Sequence, residues 1–312
     1  MLKITDCKSL DKKYLNGLIQ EFLNRKSYAK DTKATYKKQL KVFFSYCATK
    51  KIKKPRRKDI LSFLEHLIYS GKSASYINNL LTSLRVFFKY LDYLGLYPDI
   101  TKMIDRVKSD KRHKREALYP FQFIKILNAM PDTDNEISLR NYAIINLLGR
   151  TGIRRNGLRE LQIKHLYEKA GHDQQQAWYL LIKLKGHQVS THELYLTPKS
   201  VDPIQNYLKL KKKQKKNDYL FSTQSGKQLN VDFISRLFKK SARRVGIDTP
   251  KITCHSLRHM FATIAKEKGE ALEDISDVLG HANFATTSDI YVHRGDSNKS
   301  RVLKVVDEVL DV

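Results

Sequence analysis

The sequence predicts a mainly α-helical protein of two domains, the second of which contains a small antiparallel β-sheet. Three observations support this fold class. Apolar residues recur at helical spacing in four segments of the N-terminal third. A basic stretch with little apolar content, at residues 109–117, separates this part from the remainder. In the remainder, further helical segments surround two short strand-like segments that a Lys-Gly-His turn connects. A chain of 312 residues has room for one or two domains with sizeable cores.

The first domain is predicted at residues 1–108 as four helices with short connections, which is typical of a compact bundle. Gly71 and Gly95 fit helix ends. The Tyr, Phe and Leu side chains of these helices are interpreted as core. The predicted helices cover 10–26, 32–49, a segment from Pro55 to about Ser70, and 73–94.

The second domain is predicted at residues 118–312, after the linker 109–117. A strongly apolar helix at 139–148 is expected to be buried and to break at Thr151-Gly152. The tail from Asn298 has an amphipathic pattern, and it either packs on its own domain or docks onto a neighbouring subunit. The other predicted elements are helices at 119–130, 201–213, 231–245, from Thr253, and 271–279, and strands at 178–184 and 193–196.

The net charge of +27 and the pI of about 9.8 predict a polyanionic partner. Nucleic acid ranks above an anionic membrane, and a ribosomal-type basic protein is the alternative. Three cysteines without a CxxC pair disfavour a disulfide framework and a cysteine-based zinc site, and they fit a reducing cytoplasm. No uninterrupted apolar run approaches 18 residues, and no signal peptide is seen, so no membrane span is expected.

Two basic stretches are candidate DNA contacts. One lies at the connection between the second and third helices, and the other lies in the linker. Such contacts would supply affinity for phosphates rather than sequence reading, and the alternative is a solvated surface. The candidate residues are Lys50, Lys51, Lys53, Lys54, Arg56, Arg57, Lys111, Arg112, Lys114 and Arg115.

The segment that organises the second domain begins at Thr253. If Thr253 opens a helix, His255 and Arg258 share one face. Leu-Gly-His281 follows, and Tyr291 comes ten residues after that histidine. Arginine can bind a phosphate through two hydrogen bonds and tyrosine can attack it, so the set suits phosphate chemistry. The opposite, apolar face of the helix is predicted to contain Leu257, Phe261 and Ile264.

His-x-x-Arg, Leu-Gly-His and the following Tyr resemble the C-terminal signature of tyrosine recombinases, the phage-integrase and Xer-like family. The resemblance implies that the first domain is a core-binding, DNA-binding domain and the second a catalytic domain. Thr151-Gly152-Ile153-Arg154 resembles the first box of the family. Because helices begin near residue 10, we expect a compact, Xer-like member without an arm-binding domain.

By this resemblance, Tyr291 is the nucleophile and Arg154 and Arg258 bind the phosphate. Attack by the tyrosine forms a 3′-phosphotyrosyl bond and frees a 5′-hydroxyl. Lys185 matches the lysine that protonates the leaving oxygen, and His255 and His281 assist proton transfer and hold the phosphate. The bond energy is conserved, so no ATP is required. No clustered carboxylates with two-metal spacing stand out in the sequence, so no metal cofactor is expected.

Alternatives to these assignments remain open. Arg155 or Arg159 could bind the phosphate in place of Arg154, and Lys183 competes with Lys185. A zinc site is disfavoured because the spacing fits no common pattern. Gly157 stands where the family often has an acidic residue, and Glu160 could support Arg154 from a shifted position. The zinc ligands would be Cys254, His255, His259 and His281.

The resemblance also implies the partners. The expected substrate is double-stranded DNA with an inverted-repeat recombination site. The enzyme is expected as a homotetramer on two such sites, which it recombines through a four-way junction, and as a monomer or weak oligomer when free. Integration, excision or resolution for a mobile element, in the cytoplasm and at the nucleoid, fits this reading. The alternatives are relaxation of supercoils like a type IB topoisomerase, and a DNA-binding accessory protein with an inactive site.

Overall fold

The computed structural model describes residues 8–10, 12–25, 28–108, 118–131, 135–170, 175–183, 192–211, 215–280 and 296–311. They divide into two compact units, Met1–Arg112 and His113–Val312, and each unit has its own hydrophobic core. Among the described helices, none has the length and apolar character needed to cross a membrane. The linker predicted at 109–117 lies outside the described residues.

In its described residues, the first unit contains four helices, as the sequence predicts. Aromatic rings fill its core: Phe22 contacts Phe87 edge-on at 5.4 Å between ring centroids, and Phe43 contacts Phe63 at 5.2 Å. All four rings are buried, so their predicted core role is confirmed. The helices are α1 (Lys12–Asn24), α2 (Lys30–Thr49), α3 (Arg57–Tyr69) and α4 (Ala74–Tyr93).

The start of α3 differs from the prediction by two residues. Pro55 does not open the helix; it is buried, and its carbonyl accepts a hydrogen bond from the Tyr97 hydroxyl at 2.8 Å. The helix begins instead after Arg56, whose backbone N–H donates to the Asp59 carboxylate at 2.6 Å. An acidic side chain in the first turn caps the helix at this point and complements its dipole.

Over the residues that the structure describes, the second unit is mainly helical and contains one small sheet. Its helices are α5 (Pro120–Asn128), α6 (Glu136–Thr151), α7 (Arg155–Glu160), α8 (Pro198–Leu210), α9 (Val231–Arg244), α10 (Cys254–Glu267), α11 (Leu272–Leu279) and α12 (Asp296–Val309). Its strands are β1 (Leu166–Ala170), β2 (Gln176–Ile182) and β3 (His192–Leu196).

The three strands form an antiparallel sheet in the order β1-β2-β3. Leu166 pairs with Leu180, and Ile182 pairs with His192. The sequence predicts β2 and β3 but not β1. The reason is that β1 is a five-residue edge strand in which Leu166 is the one buried residue, so it has no apolar run to reveal it.

Helix α6 lies at the centre of the second unit and packs against α8 and α10. Every residue from Ala143 to Thr151 is buried, which confirms the prediction of a buried helix there. Each fully buried aliphatic side chain of this kind contributes roughly 1.5–3 kcal/mol relative to an exposed one. The end of α6 is therefore held firmly in the core.

Helix α12 packs on its own unit, against α11, β3, α10 and α6. Arg150 of α6 anchors it through an ion pair with Asp307 at 2.6 Å, and both side chains are about 8% exposed. Within this single chain, the C-terminal helix thus takes the first of the two positions predicted for it. The buried apolar residues of this segment are Val302, Leu303 and Val306 in the helix and Leu310 directly after it.

Candidate active site

The end of α6 determines where Arg154 lies. The helix ends at Gly152, whose φ of 63° lies in the left-handed region that favours glycine. A Cβ atom at this position would lie 2.6 Å from Cδ2 of Leu279, so the glycine also allows α11 to approach closely. Arg154 follows two residues later, at the start of α7. The helix break predicted at Thr151-Gly152 is confirmed.

Thr253 fixes the start of α10. Its hydroxyl accepts a hydrogen bond from the backbone N–H of His255 at 3.3 Å, and its own N–H donates to the Ser256 hydroxyl at 3.1 Å. These bonds satisfy donors that a helix start leaves without intrahelical partners. His255 and Arg258 lie half-buried on one side of the helix, as predicted. The predicted apolar side is buried, with Leu257, Phe261 and Ile264 at 0–3% exposure.

Arg258 connects the ends of two other helices. Its Nη1 donates to the carbonyl of Gly152, at the end of α6, at 2.9 Å. Its Nη2 donates to the carbonyl of Leu279, at the end of α11, at 2.8 Å. Arg154 reaches the same place, since its Nη1 lies 2.9 Å from the Gly280 carbonyl oxygen and 3.3 Å from that of Leu279. The structure therefore brings together two arginines that lie about a hundred residues apart.

The two guanidinium groups form a positively charged site in a partly buried environment. Burial, and after it the like charge of Arg154, lowers the pKa of Arg258 to about 10. Burial also lowers the pKa of Arg154. Both groups keep their charge at neutral pH, and the partial negative charge at the end of α11 offsets part of their repulsion. A guanidinium has five N–H donors, so both arginines retain donors for an oxyanion.

The alternative arginines point elsewhere. Arg155 donates to the hydroxyl of Ser235 on α9. Arg159 donates through Nη2 to Oε1 of Gln228 at 2.9 Å. Of the three arginines in this segment, Arg154 is the one that meets Arg258.

The expectation that Glu160 supports Arg154 is wrong. The Glu160 carboxylate lies 3.8 Å from Nζ of Lys183 at the end of β2, while backbone carbonyls at the end of α11 hold Arg154. Backbone acceptors replace the acidic side chain because α11 approaches Gly152 closely enough to present them. Lys183, the competitor of Lys185, therefore has an acidic partner.

Three of the predicted catalytic residues lie outside the described residues: Lys185, His281 and Tyr291. In the sequence, His281 directly follows Gly280, whose carbonyl Arg154 contacts, and Tyr291 precedes α12 by five residues.

The cysteine of the zinc alternative is buried. The Cys254 sulfur donates to the Ile234 carbonyl at 3.6 Å, and burial raises the pKa of its thiol to about 11. In the part of the chain that the structure describes, no three His, Cys, Asp or Glu side chains cluster in a way that could hold a metal ion.

Sequence reasoning missed a basic surface on α9. An open groove of about 660 Å³ runs along this helix. Its basic residues recur at positions i, i+3, i+4, i+7 and i+8, a spacing that places them on one face and that is visible in the sequence. We call this face the α9 basic face; its residues are Arg236, Lys239, Lys240, Arg243 and Arg244.

The predicted DNA-contact residues of the first unit are accessible. Lys50, Lys51, Lys53, Arg56 and Arg57 are exposed and Lys54 is half-buried. They occupy the connection between α2 and α3 and the start of α3. The predicted linker contacts Lys111, Arg112, Lys114 and Arg115 lie outside the described residues.

Comparison with known families identifies the chain. The phage integrase family matches residues 116–298, more than half of the sequence. The chain belongs to the phage integrase family. The N-terminal SAM-like domain of phage integrases matches residues 13–92, so both units have counterparts in this family.

Relatives in the family are tyrosine recombinases. Tyrosine recombinase XerD of Listeria monocytogenes is 30% identical over 292 residues, which cover 89% of this chain and 94% of the relative. Tyrosine recombinase XerC of Alcanivorax borkumensis is 30% identical over 238 residues, which cover 75% and 74% of the two chains. The predicted family is confirmed, and the protein is an enzyme of the tyrosine-type site-specific recombinase class.

Solved structures of the family share the fold. XerH recombinase bound to its difH substrate before cleavage matches with a TM-score of 0.66 and 22% identity, covering 89% of this chain and 82% of that one. A lambda integrase tetramer bound to a Holliday junction matches with a TM-score of 0.63 and 16% identity, covering 95% and 78%. The predicted fold class, mainly α with a small antiparallel sheet, is confirmed.

Proposed function

We propose that this recombinase cleaves and rejoins DNA through a covalent bond between Tyr291 and a 3′-phosphate. Tyr291 attacks the scissile phosphodiester, and the 5′-oxygen leaves as a hydroxyl. The hydroxyl of a partner strand then attacks the phosphotyrosyl bond and restores the DNA backbone. Each step exchanges one phosphoester for another, so the cycle requires no ATP.

The observation that supports this proposal most directly is the meeting of Arg154 and Arg258 at the Leu279 carbonyl. A phosphate under attack gains negative charge on its non-bridging oxygens, and fixed cationic donors stabilise that charge. One such donor contributes about 3–4 kcal/mol to lowering the barrier. Because the arginines are held by backbone carbonyls, they need little reorganisation when DNA binds.

The remaining roles complete the proton balance. Tyr291 must lose its phenolic proton to attack, and we assign His255 and His281 to this transfer and to binding the phosphate. We assign Lys185 to donating a proton to the leaving 5′-oxygen. A tyrosine with an ordinary pKa of about 10 is mostly protonated at neutral pH, so it requires such neighbours.

We assign DNA binding to residues 1–108 together with the linker 109–117, and catalysis to residues 118–312. The exposed lysines and arginines between α2 and α3 and the α9 basic face are the proposed phosphate contacts. With a net charge of +27, the chain has ample charge to bind a duplex through them. The linker residues Lys111, Arg112, Lys114 and Arg115 extend this proposed contact.

The proposed working form is a homotetramer on two double-stranded DNA sites, each with inverted repeats. Two features of relatives support it: XerH is found on its difH substrate, and lambda integrase is found as a tetramer on a Holliday junction. Two successive exchanges through such a junction would integrate, excise or resolve a DNA element. We place this activity at the nucleoid in the cytoplasm, where the DNA substrate is.

Covalent trapping tests the proposal. Duplexes tiled from the DNA that flanks the gene, each with a nick that traps cleavage, are incubated with the protein without metal or ATP. We expect an SDS-resistant protein–DNA band that maps to one short sequence, persists in Tyr69→Phe and disappears in Tyr291→Phe. Tyr69 is a suitable control because it is 90% exposed on α3 of the first unit.

The outcomes separate the rival functions. An adduct that persists in Tyr291→Phe would mean that another residue is the nucleophile. Relaxation of supercoiled DNA by a monomer, without exchange between two sites, would indicate a topoisomerase. Tight, sequence-specific binding of one of the tiled duplexes without any adduct would indicate an accessory protein with an inactive site.

A further inference from the structure

His192 is a buried histidine outside the predicted catalytic set. It is the first residue of β3, where it pairs with Ile182 of β2, and it is 8% exposed. Its Nε2 lies 3.1 Å from the carbonyl oxygen of Val278, in the last turn of α11. The sheet therefore contacts the same helix end that Arg154 and Arg258 contact.

The acceptor determines the state of the imidazole. A carbonyl oxygen only accepts hydrogen bonds, so Nε2 of His192 must carry the hydrogen. Burial lowers the pKa of His192, and the cations Lys299 of α12 and Arg258 of α10 lower it further. The bond to Val278 and the carboxylate of Asp277 act in the opposite direction. His192 is thus a neutral donor at physiological pH.

The contact completes a series at the end of α11. The last carbonyls of a helix lack intrahelical partners. Here three successive ones, those of Val278, Leu279 and Gly280, accept hydrogen bonds from three side chains: His192, Arg258 and Arg154 respectively. The three donors come from β3, from α10 and from the segment between α6 and α7. The helix end is thereby fixed from the sheet side and from the arginine side.

We propose that His192 is a positioning residue for recombination: by holding the Val278 carbonyl, it fixes the orientation of the carbonyls that align Arg154 and Arg258. This inference rests on the proposed function of the two arginines as phosphate ligands. Loss of the donor frees the end of α11 to rotate, and the guanidinium groups then lose the geometry of their acceptors. A misplacement of about 1 Å can slow a reaction by roughly 10²-fold without loss of binding.

Two substitutions at His192 isolate the hydrogen bond. His192→Leu removes the donor and keeps an apolar side chain in the buried site. His192→Gln supplies an amide N–H at a reach similar to that of Nε2. The control is Arg140→Met. Arg140 is another buried donor, whose Nη1 donates to the Ser222 carbonyl at 2.7 Å, and both residues lie far from α11 in the sequence.

The first readout is the single-turnover rate of covalent adduct formation at saturating DNA, measured beside the dissociation constant for the duplex. We expect His192→Leu to lower the rate at least tenfold and to leave the dissociation constant within about twofold. His192→Gln should recover the rate to within about threefold of the wild type. Arg140→Met should lower thermal stability and leave the rate per folded molecule unchanged.

The second readout is amide hydrogen exchange in the free protein, which requires no DNA. In the structure, the Gly280 amide donates to the Asp277 carbonyl at 2.8 Å. We expect faster exchange of the Leu279 and Gly280 amides in His192→Leu, and wild-type exchange there in His192→Gln and Arg140→Met.

The two readouts give distinct failures. Unchanged exchange at Leu279 and Gly280 in His192→Leu would overturn the inference, whatever the activity. A wild-type rate of adduct formation in His192→Leu would overturn it as well. If the wild-type protein itself forms no adduct on any of the tiled duplexes, the proposed function fails, and exchange alone then decides whether His192 holds the helix end.

Discussion

The guanidinium groups of Arg154 and Arg258 converge on the carbonyl oxygen of Leu279, at 3.3 Å and 2.8 Å respectively. Neither arginine obtains its position from an acidic side chain in these contacts. The end of a helix orients both, so its partial negative charge takes the place of a carboxylate. A carboxylate at this point would compete with a phosphate, whereas a carbonyl leaves the positive charge of the arginines uncompensated by a full negative charge.

Replacement of Arg258 by lysine tests this geometry. A single ammonium cannot reproduce the planar fork that bridges the Gly152 and Leu279 carbonyls. We expect Arg258→Lys to slow adduct formation about 10²–10³-fold at saturating DNA, which corresponds to about 3–4 kcal/mol. Arg301→Lys is the control, because the exposed Arg301 side chain contacts a single oxygen of Glu270 and lies 3.6 Å from Asp274, and an ammonium group can keep both ion pairs. Equal rates in both variants would contradict the phosphate-binding role.

Gly152 offers a second test with a matched control. A Cβ atom there would lie 2.6 Å from Leu279 and 3.1 Å from Phe261, in addition to the cost of a positive φ. We expect Gly152→Ala to lower the free energy of unfolding by about 2–5 kcal/mol, the sum of the backbone and overpacking costs. Gly246 also has a positive φ, but a Cβ atom there would have no neighbour within 4 Å. Gly246→Ala should therefore lower the free energy of unfolding by only about 1–2 kcal/mol. Urea unfolding of both variants gives the comparison, and equal losses would show that close packing at Gly152 is unimportant.

Local patterns in the sequence predict most of the fold. The helix of His255 and Arg258 could be predicted because its cap and its apolar face are encoded within twelve residues. Strand β1 could not, because an edge strand with one buried residue has no periodic signal. The predicted bundle and the buried helix α6 likewise follow from long apolar repeats.

The site was only partly predictable. Residue types and their order predicted Arg154 and Arg258, but the acceptors that hold them are backbone carbonyls, which every residue has. The sequence therefore pointed to Glu160 as a support, and the structure places the end of α11 in that role. The same reasoning explains why His192 was missed, since its partner is the carbonyl of Val278.

The α9 basic face predicts a salt-dependent contribution to DNA affinity. Arg236→Gln combined with Lys240→Gln removes two exposed charges from this face. If both bind phosphates, the slope of log K against log salt should decrease in magnitude by about 1.8. Fluorescence anisotropy of a labelled duplex at several salt concentrations measures the slope. The control is Lys266→Gln combined with Lys268→Gln, at the exposed end of α10. An equal decrease of the slope in this control would show that the α9 substitutions act only through the net charge of the protein and not through specific phosphate contacts.

His192 also predicts how stability depends on pH. Folding lowers the pKa of His192. In the unfolded chain this histidine takes up a proton near its ordinary pKa of about 6.5, whereas in the folded chain it takes up the proton only at a lower pH. The unfolded state therefore binds more protons as the pH falls below this value, and stability decreases in that range. Chemical denaturation between pH 7.5 and 5.5 should show a smaller decrease for His192→Gln than for the wild type. His165 also has a lowered pKa, so His165→Asn should remove a separate part of the decrease in stability at low pH. If the dependence of stability on pH is the same in His192→Gln as in the wild type, the prediction is contradicted.

Because Arg150 and Asp307 form a buried ion pair, we expect the packing of α12, and with it the stability of the protein, to depend strongly on the Asp307 carboxylate. Arg150 is buried, and it also contacts Asn146 at 2.9 Å and Asp311 at 3.3 Å. Removal of one partner of a buried pair leaves an uncompensated charge and typically costs about 3–5 kcal/mol. We expect Asp307→Ala to cost an amount at the lower end of that range, since Asp311 remains near the guanidinium.

A double substitution separates the charge from the packing. Arg150→Met with Asp307→Leu removes both charges and fills the space with apolar atoms, so it should recover most of the stability that Asp307→Ala loses. Urea unfolding, monitored by circular dichroism, gives the free energy of unfolding of the wild type, of Asp307→Ala and of the double variant. Asp311→Ala, which removes a partner that is 28% exposed, should cost less than 1 kcal/mol. If the double substitution is as unstable as Asp307→Ala, the loss comes from packing of α12 and not from a buried charge, and Arg150 is then not the anchor of the helix.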